Sequence, residues 1–188
     1  MNGFERRTEE KKRHILSVAH ESFKRQGVEA FNILEIAKEA GVSHVTIYHY
    51  FGNKSGFIKA VLDFTLEAKS LEAKQTIMHN DGSFDEALNA LIDFELKRYD
   101  GYHDNFIDQL IERERQLLNR THEAIFEGVK RLFAIGRVEA RIDKDLSDET
   151  LVVLIHMFRF LKSNNYLRSP QVVKEVFELF RRGLGGGV

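Results

Sequence analysis

The sequence predicts an all-α protein of about nine helices, and three observations carry that prediction. Its 188 residues contain a single proline, Pro170. Runs in which Val, Ile or Thr alternate with polar residues, which are typical of half-buried strands, do not occur. Apolar residues instead recur at helical spacing, in segments that begin at Ser or Asn and end near glycine, the residues that cap and terminate helices. A chain of this length can bury a hydrophobic core.

The first helix is predicted over residues 8–26. Its inward positions recur at helical spacing and are Ile15, Leu16, Ala19, Ser22 and Phe23. Gly27 follows as a C-terminal stop, because glycine adopts the left-handed conformation that often ends a helix.

Two shorter helices are predicted to follow. Asn32 with Glu35 three positions later is a capping-box pattern that opens a second helix to about residue 40. Gly41 suits a left-handed turn, and Ser43 then caps a third helix that runs to about residue 51.

The remaining two thirds of the chain predict a long helix and several shorter ones. The long helix spans residues 55–78 and ends at the polar run around Gly82. Ser83 with Glu86 is a second capping box, which opens a helix to about residue 98. Polar interruptions at residues 100–103 and 119–121 bound two more helices. Ser147 begins another, and Ser169 followed by Pro170 opens the last, to about residue 182.

The spacing within residues 33–47 is typical of a helix-turn-helix. The spaced positions are Ile33, Ala37, Gly41 and Ile47: a small residue where two helices cross closely, a glycine in the turn and an aliphatic side chain that pins the second helix. In such a motif the second helix enters the major groove of DNA. We therefore expect the helix after Ser43 to be a reading helix.

The outer face of the predicted reading helix carries side chains suited to DNA. They are His44, Val45, Thr46, His49 and Tyr50. Imidazole and hydroxyl groups bind base edges or phosphate oxygens, and valine contacts the thymine methyl group. Lys54, at the start of the long helix, predicts a phosphate site because a cation and unpaired backbone amides point the same way. Ile47 and Phe51 are expected to face inward. The basic residues near the N-terminus, Arg6, Arg7, Lys11, Lys12 and Arg13, are further candidates for backbone or minor-groove contacts.

These residues resemble the N-terminal domain of the tetracycline-repressor (TetR) family of transcriptional regulators. The run ILSVAHESFKRQGVEAFNILEIAKEAGVSHVTIYHYFGNKSGFIKAV, residues 15–61, carries the likeness, and the signature I-A-x-x-A-G-V-S-x-x-T-[IL]-Y-x-Y-F-x-N-K spans residues 36–54. The resemblance implies a dimer that reads a palindromic operator in double-stranded DNA through residues 1–54. It further implies that residues 55–188, entered through the long helix, form a helical domain that dimerises and binds a small-molecule effector which releases DNA.

Carried over by position, the resemblance assigns roles within the reading helix. Residues 43–46 and His49 approach bases, whereas Thr46, Tyr48, Tyr50 and Lys54 hold phosphates. Asn32, at the start of the second helix, completes the predicted DNA-binding set. Val45 stands where many members carry a small residue, Phe31 and Asn32 replace a Thr or Ser pair, and Leu34 is apolar where some relatives have a polar or basic DNA-contacting residue. The operator sequence therefore cannot be inherited from a relative.

Ligand and dimer residues are predicted from composition and apolar stripes. The candidates for the effector pocket are Tyr99, Tyr102, His103, Phe106, Gln109, Phe126, Phe133 and His156. The helix after Ser147 has two apolar stripes, and a helix apolar on two sides must be buried on two sides. A central helix within one chain remains an alternative to a two-fold four-helix interface. The candidates for that interface are Val153, Met157, Phe160, Val173, Val176, Phe177 and Phe180.

The composition and the motifs argue against disulfides, catalysis, a metal site and a membrane span. With no cysteine the chain has neither disulfides nor thiolate sites. No HExxH, GxSxG or phosphate-binding loop occurs, so we expect no catalytic residue and no cofactor. His44 and His49 are five apart without an acidic partner at ligand spacing, which argues against a metal site. The N-terminus lacks a signal-peptide pattern and the apolar runs are too short for a membrane span, so a cytoplasmic protein is expected.

The N-terminal third of the chain carries a basic excess, and two alternative functions remain open. Residues 1–61 carry ten Lys or Arg against seven Asp or Glu, which leaves 18 against 22 for the remainder, so the basic excess lies with the predicted reading domain. One alternative is a family member without an inducer, acting as an activator or a chromosome-organising factor. A more remote one is a helical enzyme or interaction module that does not bind DNA.

Overall fold

A computed structural model describes residues 3–78, 82–117, 123–150, 153, 157 and 169–184. The described residues contain eight bounded helices and no strand. The helices are α1 (Gly3–Gln26), α2 (Ile33–Glu39), α3 (His44–Phe51), α4 (Lys54–Met78), α5 (Phe84–Lys97), α6 (Asp104–Leu117), α7 (Glu123–Val138) and α8 (Pro170–Leu184). Residues 148–150, 153 and 157 are also helical, where another helix is predicted. The all-α prediction is confirmed.

The chain packs as two compact units. The first comprises Met1–Ala68 and Tyr99–Arg113, and the second comprises Lys69–Arg98 and Glu114–Val188. Both α4 and α6 contribute residues to each unit. The predicted reading domain, residues 1–54, lies within the first unit, and the first part of α4 and most of α6 pack with it.

An aromatic and aliphatic core holds the first unit together. Ile15, Phe23, Ile47 and Phe57 are each fully buried. The ring of Phe23 lies 4.9 Å from that of Phe31 and 5.6 Å from that of Phe106 on α6, measured between centroids. Burial of such side chains stabilises a fold by about 1.5–3 kcal/mol each. The core of the unit thus joins α1, the segment before α2 and α6.

A second core lies in the other unit. Its buried members are Ile77, Phe84, Ala87, Leu88, Val129, Leu132, Phe133, Ile142, Val173 and Phe177. Gly136 on α7 allows close packing there, because a β-carbon at that position would lie 2.8 Å from side-chain atoms of both Ile142 and Phe84, which would have to shift. The packing therefore joins α5, α7, α8 and the turn after α7.

The helix starts follow from local capping. Ser43 Oγ accepts from the backbone N–H of Thr46 at 3.1 Å, and Ser83 with Glu86 forms the complete predicted capping box. Ser147 Oγ likewise accepts from the N–H of Thr150. The expected capping box at Asn32 differs, because Asn32 Oδ1 accepts from Leu34, one residue earlier than that pattern requires. The first helix also begins earlier than expected, at Gly3.

None of the helices within the described residues combines the length and apolarity that a membrane crossing requires.

Candidate nucleic-acid interface

The predicted reading helix, α3, is capped at both ends by its own sequence. At its start, Ser43 Oγ accepts from the Thr46 N–H and lies 2.8 Å from Thr46 Oγ1. At its end, Gly52 has φ +83° and donates its N–H to the Tyr48 carbonyl at 2.7 Å. That conformation is strained for any residue with a β-carbon. The eight residues between have a defined start and a defined stop.

The side chains of α3 divide by direction. Ile47 is fully buried, and Phe51 is half-buried with its ring 5.3 Å from that of Phe57. His44, Val45 and His49 are exposed, and Val45 keeps 63% of its surface accessible. Thr46, Tyr48 and Tyr50 are half-buried along the edges of that exposed face. The outward surface of α3 therefore offers two imidazoles and one branched aliphatic side chain, bordered by hydroxyl groups.

A candidate phosphate site lies at the start of α4. Asn53 Oδ1 accepts from the Gly56 N–H at 2.8 Å, and its carbonyl accepts from the Phe57 N–H. Asn53 thereby caps the helix and places Lys54 in its first turn. Lys54 is exposed, and its Nζ lies 4.9 Å above the ring of Phe31. A lysine beside the amides of a helix N-terminus suits an anion.

Phe31 and Asn32, which stand where the resembled family has a Thr or Ser pair, each have a structural role. Phe31 is buried and its ring packs between those of Phe23 and Phe57, so it belongs to the core. Asn32 caps α2 through Leu34 and remains exposed. Asn32 therefore performs the capping that a Ser or Thr performs, while its exposed amide stays available. Leu34 is also exposed, at 58%.

The predicted pocket residues are distributed along the chain. Tyr99, Tyr102, His103, Phe106 and Gln109 belong to the first unit, whereas Phe133 falls in the second. Phe133 is buried in the core of the second unit, and the side chains of Phe126 and His156 lie outside the described residues.

Phe106 and Tyr102 serve the packing of α6 in the first unit. Phe106 is fully buried, and its ring stacks on Tyr102 with centroids 5.5 Å apart. The Tyr102 hydroxyl lies 3.3 Å from Nε2 of His20 on α1. His103 and Gln109 are exposed. These contacts give Phe106 a structural role in the core, which composition alone did not reveal.

The predicted interface residues separate into outward and inward groups. Val153 and Met157 are 57% and 56% exposed, which leaves them available to a partner. Val173 and Phe177 instead pack into the core of their own unit, at 8% exposure each. Val176 is half-buried, and the side chains of Phe160 and Phe180 lie outside the described residues. On α8 the outward apolar side chains are Val172, which lies on the predicted interface stripe, and Leu179, which the sequence reasoning did not select.

Sequence reasoning also missed a polar junction that fixes α6 to α1 and α4. His20 Nδ1 lies 2.9 Å from Thr65 Oγ1, and its other ring nitrogen faces Tyr102. Arg113 binds Asp63 through two hydrogen bonds of 2.6 and 3.0 Å. These hydrogen bonds raise the pKa of the Arg113 guanidinium above its ordinary value, against a smaller opposing effect of burial. The partners are 45 to 82 residues apart, so no local pattern could have indicated them.

The N-terminal segment matches a known protein family, and two curated relatives match longer parts of the chain. The family model described as bacterial regulatory proteins, tetR family, matches residues 15–61. Over 191 residues the chain is 24% identical to the HTH-type transcriptional regulator YvdT of Bacillus subtilis (strain 168), which covers 96% of this chain and 98% of that protein. It is also 38% identical over 69 residues to the HTH-type transcriptional regulator HbdR of Aromatoleum sp. (strain CIB), which covers 37% of this chain and 30% of HbdR.

Solved structures share the fold along nearly the whole chain. The reduced form of NemR from E. coli superposes with a TM-score of 0.62 at 15% identity, covering 95% of this chain and 100% of that one. The TetR family repressor AlkX from Dietzia sp. strain DQ12-45-1b gives 0.60 at 20% identity, covering 91% of this chain and 93% of that one. At these identities the likeness establishes the architecture alone.

Proposed function

We propose that this chain, a DNA-binding transcriptional regulator of the tetR family of bacterial regulatory proteins, is a dimeric repressor that a small-molecule ligand releases from a palindromic operator. The observation that carries the reading role is the exposed face of α3, where His44, Val45 and His49 stand on a helix capped at both ends. AlkX, which shares this fold, is described as a repressor, and the proposal assigns the same sign of regulation to this chain.

In this proposal the interface divides its contacts between bases and backbone. His44, Val45 and His49 approach base edges, together with Ser43 and Thr46 at the N-terminal end of α3. Tyr48, Tyr50 and Lys54 hold phosphates, Thr46 reaches both, and Asn32 adds a contact from the start of α2. The support is their placement: the first group lies at the exposed centre or the start of α3, and the second lies at its edges and at the α4 N-terminus. Base contacts specify sequence, whereas phosphate contacts set position.

Exposed apolar side chains support the dimer. Val153 and Met157 keep more than half of their surface accessible in the single chain. They are four residues apart and therefore lie on one face of a helix. Leu179 on α8 is 70% exposed, so a second chain would find apolar side chains on both elements. A two-fold dimer carries two reading helices, and these suit half-sites about 34–36 Å apart.

Release by ligand requires that the second unit influence the first. Both α4 and α6 pass from one unit into the other, so a rearrangement of either helix in the second unit is carried along its backbone into the first. The ligand must bind the released state more tightly than the DNA-bound state, and each tenfold difference supplies about 1.4 kcal/mol. Tyr99, Tyr102, His103 and Gln109 remain proposed pocket residues, and Phe126 and His156 remain separate candidates.

The test is enrichment of genomic DNA fragments on the purified full-length protein, followed by footprinting. We expect a protected palindrome, and the genes beside it indicate which compounds to assay for release. Protection of a single half-site would contradict the dimer, and a palindrome whose binding resists all compounds related to those genes would favour the member without an inducer. A protein that retains no fragment at low salt would exclude the DNA-reading role.

A further inference from the structure

The first three turns of α1 form a helical arm that the core does not explain. Between Gly3 and His14 no side chain is buried, and the first buried position of the helix is Ile15. A helix stabilised only by its packing would begin nearer to that residue. We define residues 3–14 as the N-terminal arm.

The N-terminal arm adjoins the reading helix. Lys12 Nζ lies 5.9 Å from the ring centroid of Tyr50 on α3, and it also pairs with Glu9 at 2.8 Å. Tyr50 borders the exposed face of α3, so Lys12 places the C-terminal end of the arm beside that edge. DNA held against α3 would therefore pass close to the arm.

Helical spacing sorts the charges of the arm into three faces. Residues that are four and three positions apart lie above one another on a helix. Glu5, Glu9 and Lys12 form one face, and Arg6, Glu10 and Arg13 form a second, in which Arg6 approaches Glu10 at 3.6 Å. The third face is Arg7, Lys11 and His14, which we name the basic stripe. It alone carries no carboxylate, and its three side chains are exposed.

We propose that the basic stripe binds the phosphate backbone of DNA next to the base pairs that α3 reads. Carboxylates on the other two faces repel phosphates and already engage neighbouring cations. In the basic stripe Lys11 extends into solvent, and Arg7 uses its Nε to donate to the Gly3 carbonyl at 3.0 Å, which leaves its terminal NH groups to bind an anion. The proposal deepens the proposed function, on whose DNA-binding surface it rests.

A matched pair of double variants tests the basic stripe. The stripe variant combines Arg7→Ala with Lys11→Ala, and the control combines Arg6→Ala with Arg13→Ala. Both remove two positive charges from the same exposed arm, and alanine preserves the helix. The salt dependence of affinity for the enriched genomic duplex is measured by fluorescence anisotropy. Each lost phosphate contact lowers the slope of log affinity against log salt by about 0.9. We expect the slope of the Arg7→Ala, Lys11→Ala variant to fall by about 1.8 for each DNA-binding domain on the duplex. The control variant should keep the wild-type slope.

The outcomes separate the stripe from the DNA-binding function. Equal losses in the two variants, or a larger loss in the control, would overturn the basic stripe while leaving DNA binding intact. A wild-type protein that binds no duplex would overturn both. Arg7→Lys with Lys11→Arg keeps the charges and is expected to keep the slope, and circular dichroism compares the helix content and unfolding temperature of all variants. Loss of slope in this charge-retaining variant would also contradict the proposal.

Discussion

At the scale of single residues, the join between α3 and α4 leaves no room for a side chain at Gly56. A β-carbon there would collide with the carbonyl oxygen of Phe51, which belongs to the backbone and cannot rotate away. Asn53 meanwhile holds the Gly56 N–H with its side chain. The relative position of the reading helix and Lys54 thus depends on a residue without a β-carbon.

We expect Gly56→Ala to lower the free energy of unfolding by about 1–3 kcal/mol, since the collision forces the turn to shift as overpacking does. DNA affinity should fall further than the loss of folded protein explains, because His49 and Lys54 move relative to each other. Chemical denaturation and duplex binding measure the two effects. Gly3→Ala is the control, because nothing lies within 4 Å of its added carbon. Wild-type stability in Gly56→Ala would disprove the steric argument.

His44 and Lys54 differ in what their loss should do to DNA recognition. His44→Ala removes a proposed base contact, and such contacts discriminate between bases by about 1–3 kcal/mol, so preference at one position of each half-site should relax. Lys54→Ala removes a proposed phosphate contact and should weaken all sequences about equally, with a slope lower by about 0.9. Sequence selection from a randomised duplex distinguishes them. A changed base preference in Lys54→Ala would contradict its assignment.

The residue scale also shows what a local pattern can predict. Ser43 and Ser83 were recognisable as caps because a cap depends on residues within one turn. Phe31 was not recognisable as core, because its burial depends on Phe23 and Phe57 in other helices. The exposed face of α3 was predictable, since helical periodicity and the burial of Ile47 determine it together.

At the scale of elements, α6 joins the reading part of the chain through contacts that are distant in sequence. The His103 N–H donates to the Lys24 carbonyl, and Asn105 Oδ1 accepts from the Val28 N–H, so the start of α6 is bonded to the end of α1. Further along, Arg113 binds Asp63 of α4. Helical periodicity predicted α6 itself but carried no information on these partners, which is why the packing of α6 with the predicted reading domain could not be foreseen.

Removing the charge of Asp63 tests the attachment of α6 to α4. Asp63→Asn should lower the free energy of unfolding by about 1 kcal/mol, a value reduced from that of a buried pair because the Asp63 side chain is 41% exposed. Glu10→Gln, which disrupts the exposed pair with Arg6, is the control and should change little. Denaturant titration with amide hydrogen exchange locates the effect. Equal losses in the two variants would mean that the Arg113 pair contributes no more than a surface pair.

At the scale of the whole molecule, the proposed repressor requires two copies of the chain. A palindromic operator matches the symmetry of a two-fold dimer, in which the same surface of each chain contacts the other. The burial pattern separates surface available for that contact from surface already used. Val173 and Phe177 complete the core of their own unit, whereas Val153, Met157 and Leu179 stay exposed.

Lysine substitution therefore gives different results at positions with the same side chain. Val153→Lys should leave the single chain folded, since 57% of Val153 is exposed, yet it should weaken the dimer at least about tenfold, because an unpaired charge is costly in an interface. Val138→Lys, at 88% exposure, is the matched control, and Val173→Lys should unfold the second unit. Light scattering after size exclusion, with circular dichroism, measures assembly and folding. A Val153→Lys protein that remains dimeric and protects the whole palindrome would remove this face from the interface.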